Sequence, residues 1–250
     1  MSQPRRLPFE GAINFRDLGG YPAGPGRQTR WSRIYRSDSL AELTDPDLER
    51  LSALGLYGIC DYRLPGEAAK NPDRLPDGHG MRVTNPGFLP RGTERMLDGI
   101  AAGTMTAGAI QTEVIGHYRL FAQEHIADYI PFFRMLLEAD GRPVLIHCTS
   151  GKDRTGWGSA LALLAAGCAD GTVIRDYVLT DTYRRDVGFM FPDGVDAGAM
   201  DMLTSARPIY IETALSELRR LHGTGDGWMD LLGLDGSERA QLRNLLSVAG

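Results

Sequence analysis

Pro143-Val-Leu-Ile-His-Cys-Thr-Ser-Gly-Lys-Asp-Arg-Thr-Gly156 is the stretch from which the rest of the chain can be read. Its first half is a compact apolar run of the kind that forms a buried parallel strand, and from Arg154 the apolar spacing carries a helix to Gly167. Cys148 stands at the C-terminal end of that strand, where α/β folds hold their ligands, and the residues after it enter a helix N-terminus with unpaired backbone N–H groups. The five residues between Cys148 and Arg154 suffice for a tight semicircle whose amides converge on one oxyanion. Gly151 permits the backbone such a nest requires, and Arg154 can close the ring with a two-pronged contact. A helix N-terminus and a nearby cation favour thiolate over thiol, so Cys148 reads as an in-line nucleophile. At roughly 5% usage per residue type, Cys148, Gly151, Arg154, Thr155 and Gly156 in register arise by chance in about one of ten thousand chains this long.

Working outward, strand and helix alternate, which is an α/β signature. Gly20 to Arg36 reads as a hairpin, with Pro22-Ala-Gly-Pro-Gly26 as its loop and Trp31 to Tyr35 as the returning strand. Thr44 caps a helix with Pro46 in its first turn and Leu48, Leu51 and Leu54 on one face, ended by Gly55. Leu56 to Tyr62 and Met81 to Thr84 read as strands. Ala107 to Glu124 carries Ile110, Val114, Tyr118 and Phe121 at helical spacing, and a further helix holds Phe132, Phe133, Leu136 and Leu137. Helices near Thr172 to Arg185, Ile209 to Leu221 and Ser237 to Val248 make the C-terminal third all helical. The long segment Arg184 to Arg207 has weak periodicity, with Phe189, Met190, Phe191, Met200 and Met202. One domain over 1–250 is expected, with 105–125 and 184–207 as segments that cover the site.

Composition narrows the function. With 42% hydrophobic and 24% charged residues, the 250-residue chain is suited to a buried core. A formal charge of -5 offers no net positive field for nucleic acid or an anionic membrane surface. Three cysteines do not make a disulfide framework, and they lie too far apart, with no paired histidine, for a zinc site. No apolar run has the length of a membrane span or signal peptide, so a cytoplasmic protein is expected, or one secreted without a classical signal. A Walker A loop is excluded because Asp153 follows Gly151-Lys152 where Ser or Thr is needed. Only Lys70 and Lys152 are lysines, which marks Lys152 for attention.

His147-Cys148, five residues, then Arg154-Thr155 resembles the signature of the cysteine-dependent protein tyrosine phosphatases. The full run His147 to Gly156 is similar to that of the atypical bacterial protein tyrosine phosphatase B family. Asn14-Phe-Arg-Asp-Leu-Gly-Gly20, Tyr35-Arg-Ser37, Asp61-Tyr-Arg63 and Leu231-Leu-Gly-Leu234 extend the likeness over nearly the whole chain. The resemblance implies a phosphatase-like, mostly parallel sheet flanked by helices, with a helical lid and a helical C-terminal third. It implies hydrolysis of phosphotyrosine, and in some members of phosphoserine, phosphothreonine or phosphoinositides, without cofactor or metal. The substrate partner would be a phosphorylated protein or a phosphoinositide, with no nucleic acid and no stable membrane association; the oligomeric state is open.

In that reading Cys148 is the nucleophile, and Thr149, Ser150, Gly151, Lys152, Asp153 and Arg154 form the phosphate loop. No Trp-Pro-Asp tripeptide is present to carry a separate acid, and the resemblance assigns the general acid to Asp153, with Asp61 as runner-up. The bland alternatives are a carboxylate complementing the helix dipole for Asp153 and a salt bridge to Arg63 or Arg36 for Asp61. Thr155 is expected to donate to the Cys148 sulfur, and His147 to organise the loop from the opposite face of the strand. Lys152 is a candidate for a second anion, such as a ring phosphate. Asn14, Arg16 and Asp17 are expected to orient the loop from outside. Cys60 reads as core, or as a disulfide partner for oxidised Cys148. Rival readings are a phosphoinositide phosphatase with little protein activity, a phosphate-binding module without turnover, and arsenate-reductase or rhodanese chemistry.

Overall fold

The computed structural model describes residues 4–183 and 195–250. A five-stranded sheet runs in the order β1 (Arg16–Asp17), β3 (Ile34–Ser37), β6 (Val144–His147), β4 (Gly58–Asp61), β5 (Arg82–Thr84). All neighbours are parallel except the short edge pair β1 and β3. The expected α/β class and mostly parallel sheet are therefore what the chain forms. β6 lies at the centre, with its backbone paired on both sides, as its unbroken apolar run requires.

Alternation along β6 sorts the two faces. Leu145 joins Tyr35 and Ile59 in a core completed by Phe9, Phe15, Leu40, Leu43 and Leu51. Leu51 belongs to α1 (Asp45–Ala53), whose Thr44 cap and Pro46 stand as expected, with Asp47 completing a capping box. Val144, Ile146 and Cys148 face the larger core. That core is filled by α5 (Ile130–Glu138) and by α6 (Arg154–Ala166), all of whose residues are buried. Burial of Val144, Leu145 and Ile146 stabilises the centre by roughly 1.5–3 kcal/mol per side chain.

α7 (Asp170–Tyr183) and α9 (Pro208–His222) extend this side. Against α9 lies α4 (Ala107–Glu124), which also packs on α8 (Ala197–Thr204). Two short helices were not foreseen: α2 (Pro65–Lys70) and α3 (Thr93–Ala101). Each has fewer than three turns, too short for periodicity to stand out.

Two expectations need correction. The chain does turn back at 22–26, with Gly20 donating to the Thr29 carbonyl, Thr29 to that of Tyr21 and Ala23 to that of Arg27, but the returning arm is β2 (Arg27–Thr29) and not Trp31 to Tyr35. β2 also pairs with β7 (Ser247–Ala249), while Ile34–Ser37 enters the main sheet. The C-terminal third is consequently not all helical, since α10 (Gly236–Leu246) leads directly into β7. Of the two candidate covering segments, 107–124 is α4, and 197–204 of the second is α8; residues 184–194, with Phe189, Met190 and Phe191, lie outside the described residues. Among the described residues no helix is long and apolar enough to cross a membrane.

The contact that fixes α6 on β6 runs through Gly158. A Cβ there would lie 2.4 Å from Ile146 Cδ1 and 2.5 Å from the Tyr129 ring. Gly158→Ala is expected to cost about 1–3 kcal/mol through overpacking, read as a lower urea midpoint; an unchanged midpoint would contradict this packing.

Candidate active site

The loop from Cys148 to Asp153 connects β6 to α6, and its shape is set from behind. The Thr149 carbonyl accepts from the Ser39 amide at 3.0 Å. The Ser150 carbonyl accepts from Asn14 Nδ2 at 3.2 Å, and the Gly151 carbonyl from Arg36 Nη2 at 2.6 Å. In a trans peptide the N–H points opposite to the preceding C=O. Three carbonyls tied outward therefore turn the amides of Ser150, Gly151 and Lys152 toward the concave side, the arrangement of an anion nest. Gly151 has φ +69°, and a Cβ there would come within 2.6 Å of the Ser37 carbonyl and 2.7 Å of Asn14 Nδ2. No other residue fits without moving the loop.

Arg36 is itself held by a buried cluster. Asp176 of α7 accepts from Arg36 Nη1 and from Arg16 Nε at 3.1 Å, with the Tyr21 hydroxyl at 3.0 Å. Burial opposes ionisation of Asp176, but the two guanidiniums outweigh it and hold the carboxyl below its ordinary range. Burial and Arg36 push Arg16 down to about 10, leaving it charged near neutrality. Arg16, Arg36 and Asp176 form one buried ion cluster behind the loop. Arg16 also donates to the Asn14 side chain, so both loop anchors share one support. Asp17, expected beside them, instead accepts from the amides of Gly19 and Ser32.

Arg154, in the first turn of α6, is almost buried. Its Nη1 donates to the Tyr62 carbonyl at 2.9 Å and to Glu67 Oε2 at 2.7 Å, and its Nη2 to Glu67 Oε1 at 3.0 Å. Of five N–H donors, three are committed, leaving Nε and one Nη2 proton, whose nearest partner is the Thr149 hydroxyl at 3.5 Å. That side-on edge is the one that can grip two oxygens of an anion. Burial would lower the Arg154 pKa, but Glu67, Cys148 and Asp153 together raise it above its ordinary value. Glu67 is held down to about 2: burial raises it, and Arg154, the Leu64 amide and Thr149 more than compensate. Cys148, which follows β6 directly, is 2% exposed and close enough to Arg154 and Arg63 to act on their charges. Thr155 does not make the expected contact with the sulfur; its buried hydroxyl has no hydrogen-bond partner.

Above the loop is a cavity of about 310 Å³. Its floor is Thr149, Ser150, Lys152, Asp153 and Arg154, with Glu67 at one side. Its walls are largely apolar, with Leu89 and Pro90 before α3, Met96 and Leu97 on α3, and Val114 and Phe121 on α4. Asp153 occupies the N-cap of α6 but makes no capping bond. Its carboxylate, 38% exposed, turns to the Tyr118 hydroxyl at 2.8 Å and the Lys152 ammonium at 3.3 Å.

The Tyrosine phosphatase family model matches residues 7–248. The chain belongs to the tyrosine phosphatase family. A Cupriavidus necator protein named as a tyrosine-protein phosphatase is 31% identical over 248 residues, covering 95% of this chain and 86% of its own. The triple specificity protein phosphatase PtpB of Mycobacterium tuberculosis is 27% identical, over 97% of this chain and 98% of its own. A tyrosine-protein phosphatase of Nostoc commune is 28% identical, over 86% and 74%.

Asp61, Arg63 and His147 of this phosphatase form a cluster of their own on the opposite face of the sheet from Cys148. Asp61 is bound by Arg63 through Nε and Nη2, at 2.9 and 2.8 Å, which matches its salt-bridge reading with Arg63; Arg36 goes to Asp176 instead. Arg63 also reaches Asp73 at 2.7 Å and the Asn71 carbonyl. His147 does not bond to the loop; it lies 3.1 Å from Asp73, an ion-pair distance without hydrogen-bond alignment. Burial opposes its protonation, yet Asp73 and Asp61 hold it above its ordinary value. Asp61, Asp73 and His147 bring ligand atoms within 4.8 Å of one another, a grouping invisible in their spacing, but Arg63 already binds both carboxylates.

Cys60 pairs in register with Ile146, two residues before Cys148. Two residues of strand rise across neighbouring strands put the Cα atoms ~8 Å apart, beyond disulfide reach. Thr84 donates to its thiol, which burial pushes up to about 12. Lys152 donates to the Leu203 carbonyl at the end of α8, so its ammonium is engaged within the protein.

Sequence reading missed Glu67, Asp176 and the hydroxyls of Tyr118 and Tyr177. Glu67 sits in an unrecognised helix, and Asp176 lies 140 residues from Arg36. The Glu67 contribution to stability is complete above its unfolded value of 4.5 and is lost as pH falls toward 2. The melting-temperature gap between wild type and Glu67→Gln should close between pH 5 and pH 2; a gap independent of pH would contradict the Arg154 pairing.

Proposed function

We propose that this phosphatase hydrolyses aryl phosphate monoesters, phosphotyrosine above all, through a phosphocysteine intermediate on Cys148. The observation that carries the reading is the side-on edge of Arg154, left with no partner but the Thr149 hydroxyl at 3.5 Å, on one loop with amides whose carbonyls are drawn outward, a loop that follows directly on Cys148. A phosphoryl group seated there meets fixed donors that need no reorganisation as charge builds on its oxygens.

The Cys148 thiolate attacks phosphorus in line, the bond from phosphorus to the ester oxygen breaks, and Asp153 gives its proton to the departing oxygen. Water then attacks phosphorus, returns a proton to Asp153, and the P–S bond breaks to restore thiolate and release phosphate. Asp153 suits this role because its carboxylate stands at the cavity floor and makes no helix cap.

The walls of the cavity support an aryl substrate. Leu89, Pro90, Met96, Leu97, Val114 and Phe121 suit an aromatic ring better than a hydroxyl-covered inositol. Lys152, a candidate for ring phosphates, is occupied by the Leu203 carbonyl and Asp153, which supports the aryl reading.

Phosphate release should be measured from phosphotyrosine peptide, phosphoserine peptide and phosphoinositide. Cys148→Ser should abolish all release while phosphate analogues still bind. Asp153→Asn should lower turnover on phosphotyrosine by about 10²–10⁴-fold, the usual worth of a general acid. Turnover by Cys148→Ser, or equal preference for phosphoinositide, would overturn this reading.

A further inference from the structure

Asp153 is gripped by one oxygen only. Oδ1 accepts from the Tyr118 hydroxyl at 2.8 Å and faces the Lys152 ammonium at 3.3 Å, whereas Oδ2 accepts no hydrogen bond from the described residues. Tyr118 is on α4, 1% exposed, and its hydroxyl meets that of Tyr177 on α7 at 2.5 Å. Burial, followed by the charge of Asp153, raises the Tyr118 hydroxyl well above its ordinary value, so it remains protonated and can donate. A phenol with one proton cannot donate to both neighbours. Asp153 has no proton to offer when ionised, so the pair orders as Tyr177 O–H to Tyr118 O and Tyr118 O–H to Asp153 Oδ1. The rings are themselves fixed: Tyr118 stacks on Tyr210 of α9 and meets Tyr177 edge-on.

We propose that Tyr118, oriented by Tyr177, is the positioning residue for Asp153, and that Oδ2 is the oxygen that exchanges the proton. Tyr118 touches no reacting atom in this scheme. It fixes the carboxylate by Oδ1, so that the proton leaves from Oδ2 to the departing ester oxygen and returns there from water. The helix α4 thus belongs to the reaction as well as to the cavity wall. This inference rests on the general-acid reading of Asp153.

The test uses the full chain and a series of aryl phosphates whose leaving phenols range from strongly acidic, as in a dinitrophenol, to ordinary phenol. Tyr118→Phe, which keeps the ring and its stacking, should lower kcat/KM about tenfold on phenyl phosphate, the equivalent of one hydrogen bond to a charged group. On the dinitrophenyl ester, whose leaving phenolate needs no proton, kcat/KM should stay within about twofold, since kcat/KM reports only the steps up to phosphocysteine formation and not the later hydrolysis that all esters share. Tyr177→Phe should show the same pattern more weakly. A Tyr118→Phe loss equal across the series, or none, overturns the positioning role. Asp153→Asn, run in parallel, separates the two layers. A steep leaving-group dependence for Asp153→Asn with a flat one for Tyr118→Phe sinks only this inference, and a flat one for Asp153→Asn sinks the acid assignment with it.

Discussion

Three carbonyl groups pulled away from the cavity are what the site depends on. Left alone, the backbone of residues 149–151 has no reason to present successive amides to one point, because each peptide pairs a donor with an acceptor. Ser39, Asn14 and Arg36 remove the acceptors from the concave side by bonding them from outside. The positive side of each peptide dipole is what remains. Arg36 can do this only because Asp176 neutralises it in a region closed to water, and Asp176 is tolerable there only because Arg16 shares it. Breaking such a buried group by removing one member typically costs 3–5 kcal/mol. The cluster is accordingly as much a part of the site as the loop it supports.

The sheet determines which chemistry meets the cavity. Because strand side chains alternate, adjacent His147 and Cys148 face different environments. Cys148 joins the larger core, and His147 closes an ion cluster with Asp61, Asp73 and Arg63. Tyr62 joins the two faces: its amide donates to the His147 carbonyl and its carbonyl accepts from Arg154. Arg154 and the strand end are therefore tied to one backbone segment. Glu67 then holds the end of the guanidinium and leaves its side free.

How much of this was legible follows from locality. The segment from Pro143 to Gly156 shows strand, loop and helix within fourteen residues, and the structure reproduces each. Long helices with repeated apolar spacing, such as α4 and α9, were equally readable. What escaped depends on contacts between distant parts of the chain. The β2–β7 pair joins residues some 220 apart, and Ser247-Val-Ala249 carries no strand signal of its own. By sequence either Arg36 or Arg63 can pair with Asp61, and the fold gives Asp61 to the neighbouring Arg63 and Arg36 to α7. Tyr118 was readable only as part of an apolar stripe, because a tyrosine shows its ring in the pattern and its hydroxyl only in the contact.

The most direct measurement is a crystal structure of the protein soaked with tungstate, a tetrahedral oxyanion of strong scattering power. One anion is expected above Cys148, its oxygens within hydrogen-bond distance of the Ser150 and Gly151 amides and of the Nε–Nη2 edge of Arg154. An anion bound elsewhere with the loop empty, or a Ser150 or Gly151 carbonyl turned into the cavity, would contradict the account.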